Sequence, residues 1–182
     1  MNTAHPSRGF SMIEVLVTIV LITIGVLGMV ALQGRTISYT QDAIQRNSAA
    51  MLADNLVELM RADLDNVLSG GLPKSSSSYY KAAGSDFPTA PSNCSSLATL
   101  NASQRLGCWA ENTKAALPGA ASLMKQQFHI CRSATPSGPT NDDGCSSSGS
   151  TIEIRVAWAV KGGECPDAPN NEFCTYTVRV EL

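Results

Sequence analysis

From residue 10 to residue 32 the chain is almost continuously apolar, with Glu14 the one ionisable side chain in the run. At about 1.5 Å of rise per residue this stretch makes roughly 34 Å of helix, enough to cross a hydrocarbon core of about 30 Å. No second stretch of this kind follows. Past Gln33 the pattern turns amphipathic instead of breaking. Ile37, Ile44, Met51 or Leu52, Leu56, Leu59 or Met60, Leu64, and Val67 or Leu68 recur every three to four positions. Asp42, Arg46, Asn55, Glu58, Asp63 and Asp65 fall mostly between them. The pattern stops at Ser69-Gly70-Gly71-Leu72-Pro73. It predicts one helix over residues 10–68, about 90 Å long if unbroken. Residues 10–32 would lie in lipid, and residues 33–68 would carry the helix into a soluble domain made by residues 69–182.

Residues 69–93 are rich in Ser, Gly and Pro and read as a surface connection, with Tyr79-Tyr80 packing over the domain. Residues 96–117 are helical in pattern, and Asn101 with Gln104 is suited to cap a fresh turn and split the segment in two. Pro118-Gly119 ends it. Strand patterns follow: residues 124–132, where Phe128 and Ile130 alternate with polar positions; residues 151–160, with Ile152, Ile154, Val156, Trp158 and Val160 on one face; and residues 175–182. A turn-rich segment over residues 161–172 joins the last two. The expected fold is therefore α+β, a long helix whose amphipathic half packs on one apolar face of a small antiparallel sheet.

Composition adds constraints. The net charge of −2 and 15% charged residues supply no electrostatic footprint for nucleic acid. Cys94, Cys108, Cys131, Cys145, Cys165 and Cys174 contain no C-x-x-C pair, and His129 is the one histidine beyond residue 9. Such spacing argues against a zinc site and for disulfides in an oxidising compartment. Cys165 with Cys174 would close the loop before the last strand. Cys131 with Cys145 would tie down residues 133–150, leaving Cys94 for Cys108. That last pair fails if residues 95–108 form one continuous helix, and the other connectivities stay open. Disulfides place the C-terminal part across the membrane from Arg8; Arg35 and Arg46 on the far side blunt the charge bias.

Glu14 is the residue that periodicity does not explain. A carboxylate inside an apolar helix is costly unless paired, and is by default a functional candidate. A cut after Gly9 would create an α-amine at Phe10, and that amine would neutralise the carboxylate, within one chain or between neighbouring chains.

These residues carry a family resemblance. Gly9-Phe10-Ser11-Met12-Ile13-Glu14-Val15-Leu16 resembles the leader junction of type IV prepilins. The following Ile24-Gly25-Val26-Leu27-Gly28-Met29-Val30-Ala31-Leu32-Gln33 resembles PilV-type minor pilins, as, more weakly, does Trp109 followed by Leu117-Pro118-Gly119. The resemblance implies a type IV pilin-like fold. It implies removal of a leader, residues 1–9, by a prepilin peptidase, N-methylation of Phe10, and a role for Glu14 in assembly. The implied partners are other minor and major pilins and the inner-membrane assembly machinery of a type IV pilus, of the sort that serves twitching motility. The implied location is the inner membrane, single-pass through residues 10–32 with the domain in the periplasm, and then the pilus at the cell surface. Many major pilins carry a proline in the membrane half of this helix; here there is none between residues 10 and 72, and Gly25 and Gly28 are the weak helix formers instead.

The sequence contains no Walker loop, G-x-G-x-x-G, H-E-x-x-H or G-x-S-x-G, so neither an enzyme nor a cofactor is expected. Residues 141–144 (Asn-Asp-Asp-Gly) lack the ligand spacing of a calcium loop and read as a turn. His129, in a strand beside Cys131, reads as structural or solvent-facing. Two other roles remain: a minor pseudopilin of a type II secretion system, which shares leader and architecture, and a pilus-displayed adhesin or DNA-uptake subunit.

Overall fold

A computed structural model describes residues 9–134, 145–146, 148–160, 165 and 172–182. Residues 1–8, the turn expected at residues 141–144 and most of the loop at 161–171 lie outside the described residues. Two units divide the chain, Met1–Gln41 and Asp42–Leu182, with helix α1 (Met12–Arg61) running through both.

In the first unit the apolar run is helical from Met12 and exposed throughout. Its two threonine hydroxyls are satisfied within the helix. The hydroxyls of Thr18 and Thr23 donate to the carbonyls of Val15 and Val20, each at 2.8 Å, so neither hydroxyl needs a partner outside the helix. This helix is long and apolar enough to cross a membrane.

In the second unit α1 turns Ala49, Leu52, Ala53, Leu56, Val57 and Met60 inward, and the core they enter contains Ile130, Ile152, Ile154, Val156 and Trp158. Leu56 and Met60 are fully buried, and each such side chain contributes about 1.5–3 kcal/mol. The helix ends at Arg61, short of the expected residue 68. Asp63 leaves helical geometry with φ −142°. The Tyr79 hydroxyl meets both the Leu59 carbonyl, at 3.4 Å, and the Asp63 carboxylate, at 3.2 Å. Arg105 pairs with the same carboxylate at 3.4 Å. Tertiary contacts thus end a helix that local propensity would extend. A short helix α2 (Leu64–Val67) follows, and then β1 (Leu68–Ser69) pairs with β2 (Leu72–Pro73). The two residues between them, Gly70 and Gly71, have φ of 61° and 80°, the left-handed pair that a tight hairpin demands.

Within residues 69–93 the connection is less superficial than its composition suggests. Tyr79 and Lys81 are buried, and Lys81 exchanges two 2.8 Å backbone hydrogen bonds with Ile130. After a 3₁₀ turn at Leu97–Thr99, helix α3 (Ala102–Ala116) opens with a complete capping box between Asn101 and Gln104, as the spacing predicts.

Helix α4 (Ala120–Gln127) occupies positions expected to begin a strand. Residues 120–127 contain no β-branched side chain, and Gly119 at φ 64° caps the N-terminus. The Lys81 ammonium binds the carbonyls of Lys125 and Phe128 at 2.9 and 2.7 Å at the other end. The strand proper, β3 (His129–Ser133), pairs antiparallel with β4 (Thr151–Ala159), and β4 pairs with β5 (Phe173–Val180), giving the order β3-β4-β5. The fold is α+β, a long N-terminal helix packed on a small antiparallel sheet with disulfides, and it fits the type IV pilin-like arrangement.

One property of the sheet departs from the reading of a single packed face. Every residue of β4 from Ile152 to Trp158 is buried, including Glu153 and Arg155. The face away from α1 is therefore also an interior, but a polar one.

Candidate functional site

The segment that leads into α1 is built from its own backbone. The amides of Glu14 and Val15 donate to the Ser11 carbonyl at 3.0 and 3.3 Å, closing the first turn, while Gly9 and Phe10 precede it in non-helical conformation. Glu14 lies in that first turn, where the partial positive charge of unpaired helix amides favours a carboxylate. The Phe10, Met12 and Ile13 side chains are exposed at 81%, 88% and 71%. Glu14 is exposed with them, and among the described residues no side chain pairs with it. The arrangement is a carboxylate held on an apolar surface, one helical turn from the Gly9–Phe10 bond. Beyond the apolar run, Ile44 and Met51 remain 59% and 72% exposed. They stand seven residues apart, on the side of α1 turned away from Leu52, Leu56 and Met60.

The six cysteines form three disulfides: Cys94–Cys108, Cys131–Cys145 and Cys165–Cys174, with Cα separations of 5.7, 5.6 and 5.4 Å. The first is compatible with the fold because α3 starts only at Ala102, so residues 95–101 bring Cys94 back beside Cys108. All three bridges lie in the second unit.

Sequence reasoning missed two buried polar sites. On the second face of the sheet, the Glu153 carboxylate meets His129 Nε2 at 2.8 Å, Ser133 Oγ at 3.5 Å and Arg179 Nε at 3.9 Å. Strand alternation was the available signal, since Glu153, Cys131 and Arg179 stand side by side in the register. His129 is thus buried against Glu153, not solvent-facing. The second site is Lys81. Burial pushes its pKa down to about 8; Lys125 adds to the shift, and Asp86 opposes it.

Residues 5–30 match the family model described as the prokaryotic N-terminal methylation motif. The comparisons with curated proteins and with solved structures find no match. The motif implies processing by a prepilin peptidase and handling by pilus-type assembly machinery, and it points to a structural role, not an enzymatic one. The chain carries a type IV prepilin-like leader followed by an apolar helix of membrane-anchoring length, as type IV pilins and pseudopilins in general do.

Proposed function

We propose that this protein is a minor pilin of a type IV pilus, of the PilV type, that promotes assembly by entering or priming the filament. The observation that carries the reading is the exposed Glu14 carboxylate in the first turn of an exposed apolar helix, directly behind a methylation-motif junction. In this reading the peptidase cuts between Gly9 and Phe10, freeing residues 1–9, and Phe10 is then methylated. The new ammonium at Phe10 neutralises Glu14 of an adjacent subunit. That pairing offsets a cost of about 2.5–3.5 kcal/mol for an isolated carboxylate deep in an apolar medium.

The remaining organisation follows from the same reading. Residues 10–32 anchor the chain in the inner membrane and later pack in the filament core. Residues 33–61 lead into a periplasmic domain, completed by the rest of the chain and stapled by its disulfides. The exposed Ile44 and Met51 supply apolar surface for a neighbouring subunit's helix. Partners are other minor and major pilins, with the peptidase and the inner-membrane machinery acting in transit.

Gene deletion tests the assignment. Loss of surface pili with type II secretion intact is the expected result. Loss of secretion with normal piliation would overturn it in favour of a pseudopilin. Normal piliation with loss of adhesion or DNA uptake would overturn it in favour of a displayed binding subunit. Mass spectrometry of the mature protein provides the second check, since an uncut N-terminus would end the prepilin reading altogether.

A further inference from the structure

Between the flanks of α1 and α3 lies a groove of about 320 Å³ that the pilin reading does not use. Asn55 and Leu59, one helical turn apart, line it from α1, and Arg105 and Asn112 line it from α3. Leu97, in the 3₁₀ turn, lines it as well. Three cross-links hold these walls before anything binds. The Cys94–Cys108 disulfide fastens the preceding loop to α3. Arg105 Nε donates to the Leu97 carbonyl at 2.9 Å, and Trp109 Nε1 donates to the Leu52 carbonyl, fixing α3 on α1.

The polar groups of the groove divide into spent and unspent. Arg105 is committed to the Asp63 carboxylate and to the carbonyls of Leu97 and Ala98, so no free charge lines the groove. The Asn55 and Asn112 side chains are exposed, and neither carboxamide has a partner among the described residues. A second concavity, of about 270 Å³, differs in this respect: the ion pairs Lys125–Asp86 and Lys114–Glu111 rim it, and their charges answer one another.

We propose that the α1–α3 groove binds an extended, uncharged segment of a separate polypeptide chain. The carboxamides of Asn55 and Asn112 each pair with a backbone unit of that segment, and one of its apolar side chains enters beside Leu59 and Leu97. A carboxamide offers a donor and an acceptor side by side. An extended residue turns its own N–H and C=O to one side, as in a strand pair, and matches the carboxamide with two hydrogen bonds. Leu59 and Leu97 are half-buried, which leaves apolar surface for the incoming side chain. A charged residue at that point would lose water without gaining a partner. Sugars also satisfy carboxamides, but their C–H faces pack on open aromatic rings, and Trp109 is only 3% exposed. A second copy of this chain is the poorer occupant, because one copy's segment in the next copy's groove is a head-to-tail contact that would close a ring or polymerise the protein on its own. The preformed walls lower the ordering cost of binding. This proposal does not depend on which filament the protein serves.

The test follows the side-chain amide resonances of Asn55 and Asn112 in the ¹⁵N-labelled full chain in detergent, titrated with the probe acetyl-Gly-Ser-Leu-Ser-Gly-amide. Both resonances should shift and saturate, and the same peptide with Asp in place of Leu should bind at least tenfold more weakly. Asn55→Ala and Asn112→Ala should each weaken binding about three- to tenfold, and the double variant should abolish it. Both sites are exposed helix positions where Ala is the better helix former, so the fold is retained. Asn47→Ala, exposed on α1 outside the groove, should leave binding unchanged. No shift with the Leu peptide, or undiminished binding in the double variant, would overturn the proposal. Two further results on the unmodified chain would also overturn it: the same shifts with methyl glucoside but not the peptide, which would make the groove a sugar site, or shifts that grow with protein concentration alone, which would assign it to a second copy.

Discussion

The indole Nε1 of Trp109 donates a 2.8 Å hydrogen bond to the carbonyl oxygen of Leu52, tying α3 to the inner face of α1 across 57 residues of sequence. The ring also stands 5.9 Å from Phe87, centroid to centroid. Trp109→Phe keeps most of the apolar volume and removes the donor, while the Leu52 carbonyl retains its helical partner. The expected loss is about 1–2 kcal/mol. Trp109→Ala adds a cavity and should cost about 3–5 kcal/mol. Thermal unfolding of the full chain in detergent, followed by circular dichroism, checks both. Equal losses in the two variants would mean that ring volume contributes nothing.

Gly119 and Gly70 separate two costs that usually arrive together. Both have positive φ, 64° and 61°. A methyl on Gly70 would meet open space, whereas one on Gly119 would fall inside contact distance of the Ala159 side chain. Gly70→Ala should therefore cost about 1–2 kcal/mol for backbone conformation alone. Gly119→Ala should cost about 1–3 kcal/mol more through overpacking. Adding Ala159→Gly to Gly119→Ala should recover part of that excess in the same unfolding assay. No recovery would show that the contact with Ala159 is not its source.

The elements legible in the sequence are those whose determinants are local. The apolar run and its amphipathic continuation, the capping box at Asn101 and Gln104, and β4 and β5 to within two residues all follow from periodicity and turn chemistry. The end of α1 at Arg61 was illegible because Ala62 and Asp63 suit a helix; Tyr79 and Arg105, distant in sequence, hold Asp63 out of it. Residues 124–127 form a short amphipathic stretch in which strand and helix patterns coincide. For the sheet, alternation reports which side chains are apolar. It does not report whether the polar alternates, such as Glu153 and Arg155, face water or one another. The methylation motif over residues 5–30 is linear and readable without a fold.

Lys81 makes stability depend on pH in a predictable direction. Its folded pKa is lowered to about 8 from the ordinary lysine value of 10.5. Between those values the unfolded chain holds a proton that the folded chain has released, so stability rises with pH across the window. Burial raises the hydroxyl pKa of Tyr79 and Tyr80 above 10.0. These two groups act oppositely, and their contribution is lost as pH climbs through their folded values, which confines the clean window to about pH 8 to 10. Lys81→Met should abolish the rise. At pH 7.5 it should also cost about 1–3 kcal/mol, because the Phe128 carbonyl loses a charged donor at 2.7 Å. Denaturant unfolding at pH 7.5, 9 and 10 measures both effects, and a rise that persists in Lys81→Met would assign it to another group.

The charge device proposed at the N-terminus predicts a separation between processing and assembly. Glu14 lies beyond the Gly9–Phe10 bond proposed to be cut, and the first turn of α1 is closed by backbone amides bonding to Ser11, with no part for the Glu14 side chain. Glu14→Ala should therefore leave the helix start intact and the bond cleavable, and mass spectrometry should find a mature terminus at Phe10. What it removes is the partner for that terminus in the next subunit. Incorporation into sheared pili should fall by at least tenfold, since an isolated charge in an apolar medium costs on the order of 2.5–3.5 kcal/mol and every tenfold change in an equilibrium corresponds to about 1.4 kcal/mol. Glu14→Gln separates charge from shape and should fail nearly as badly. Blocking the cut instead, by substituting Gly9, should leave the uncleaved precursor in the membrane and abolish incorporation whatever residue stands at position 14. Normal incorporation of cleaved Glu14→Ala would show that register in the filament is set by apolar packing of the helices, and the pairing role would have to be abandoned.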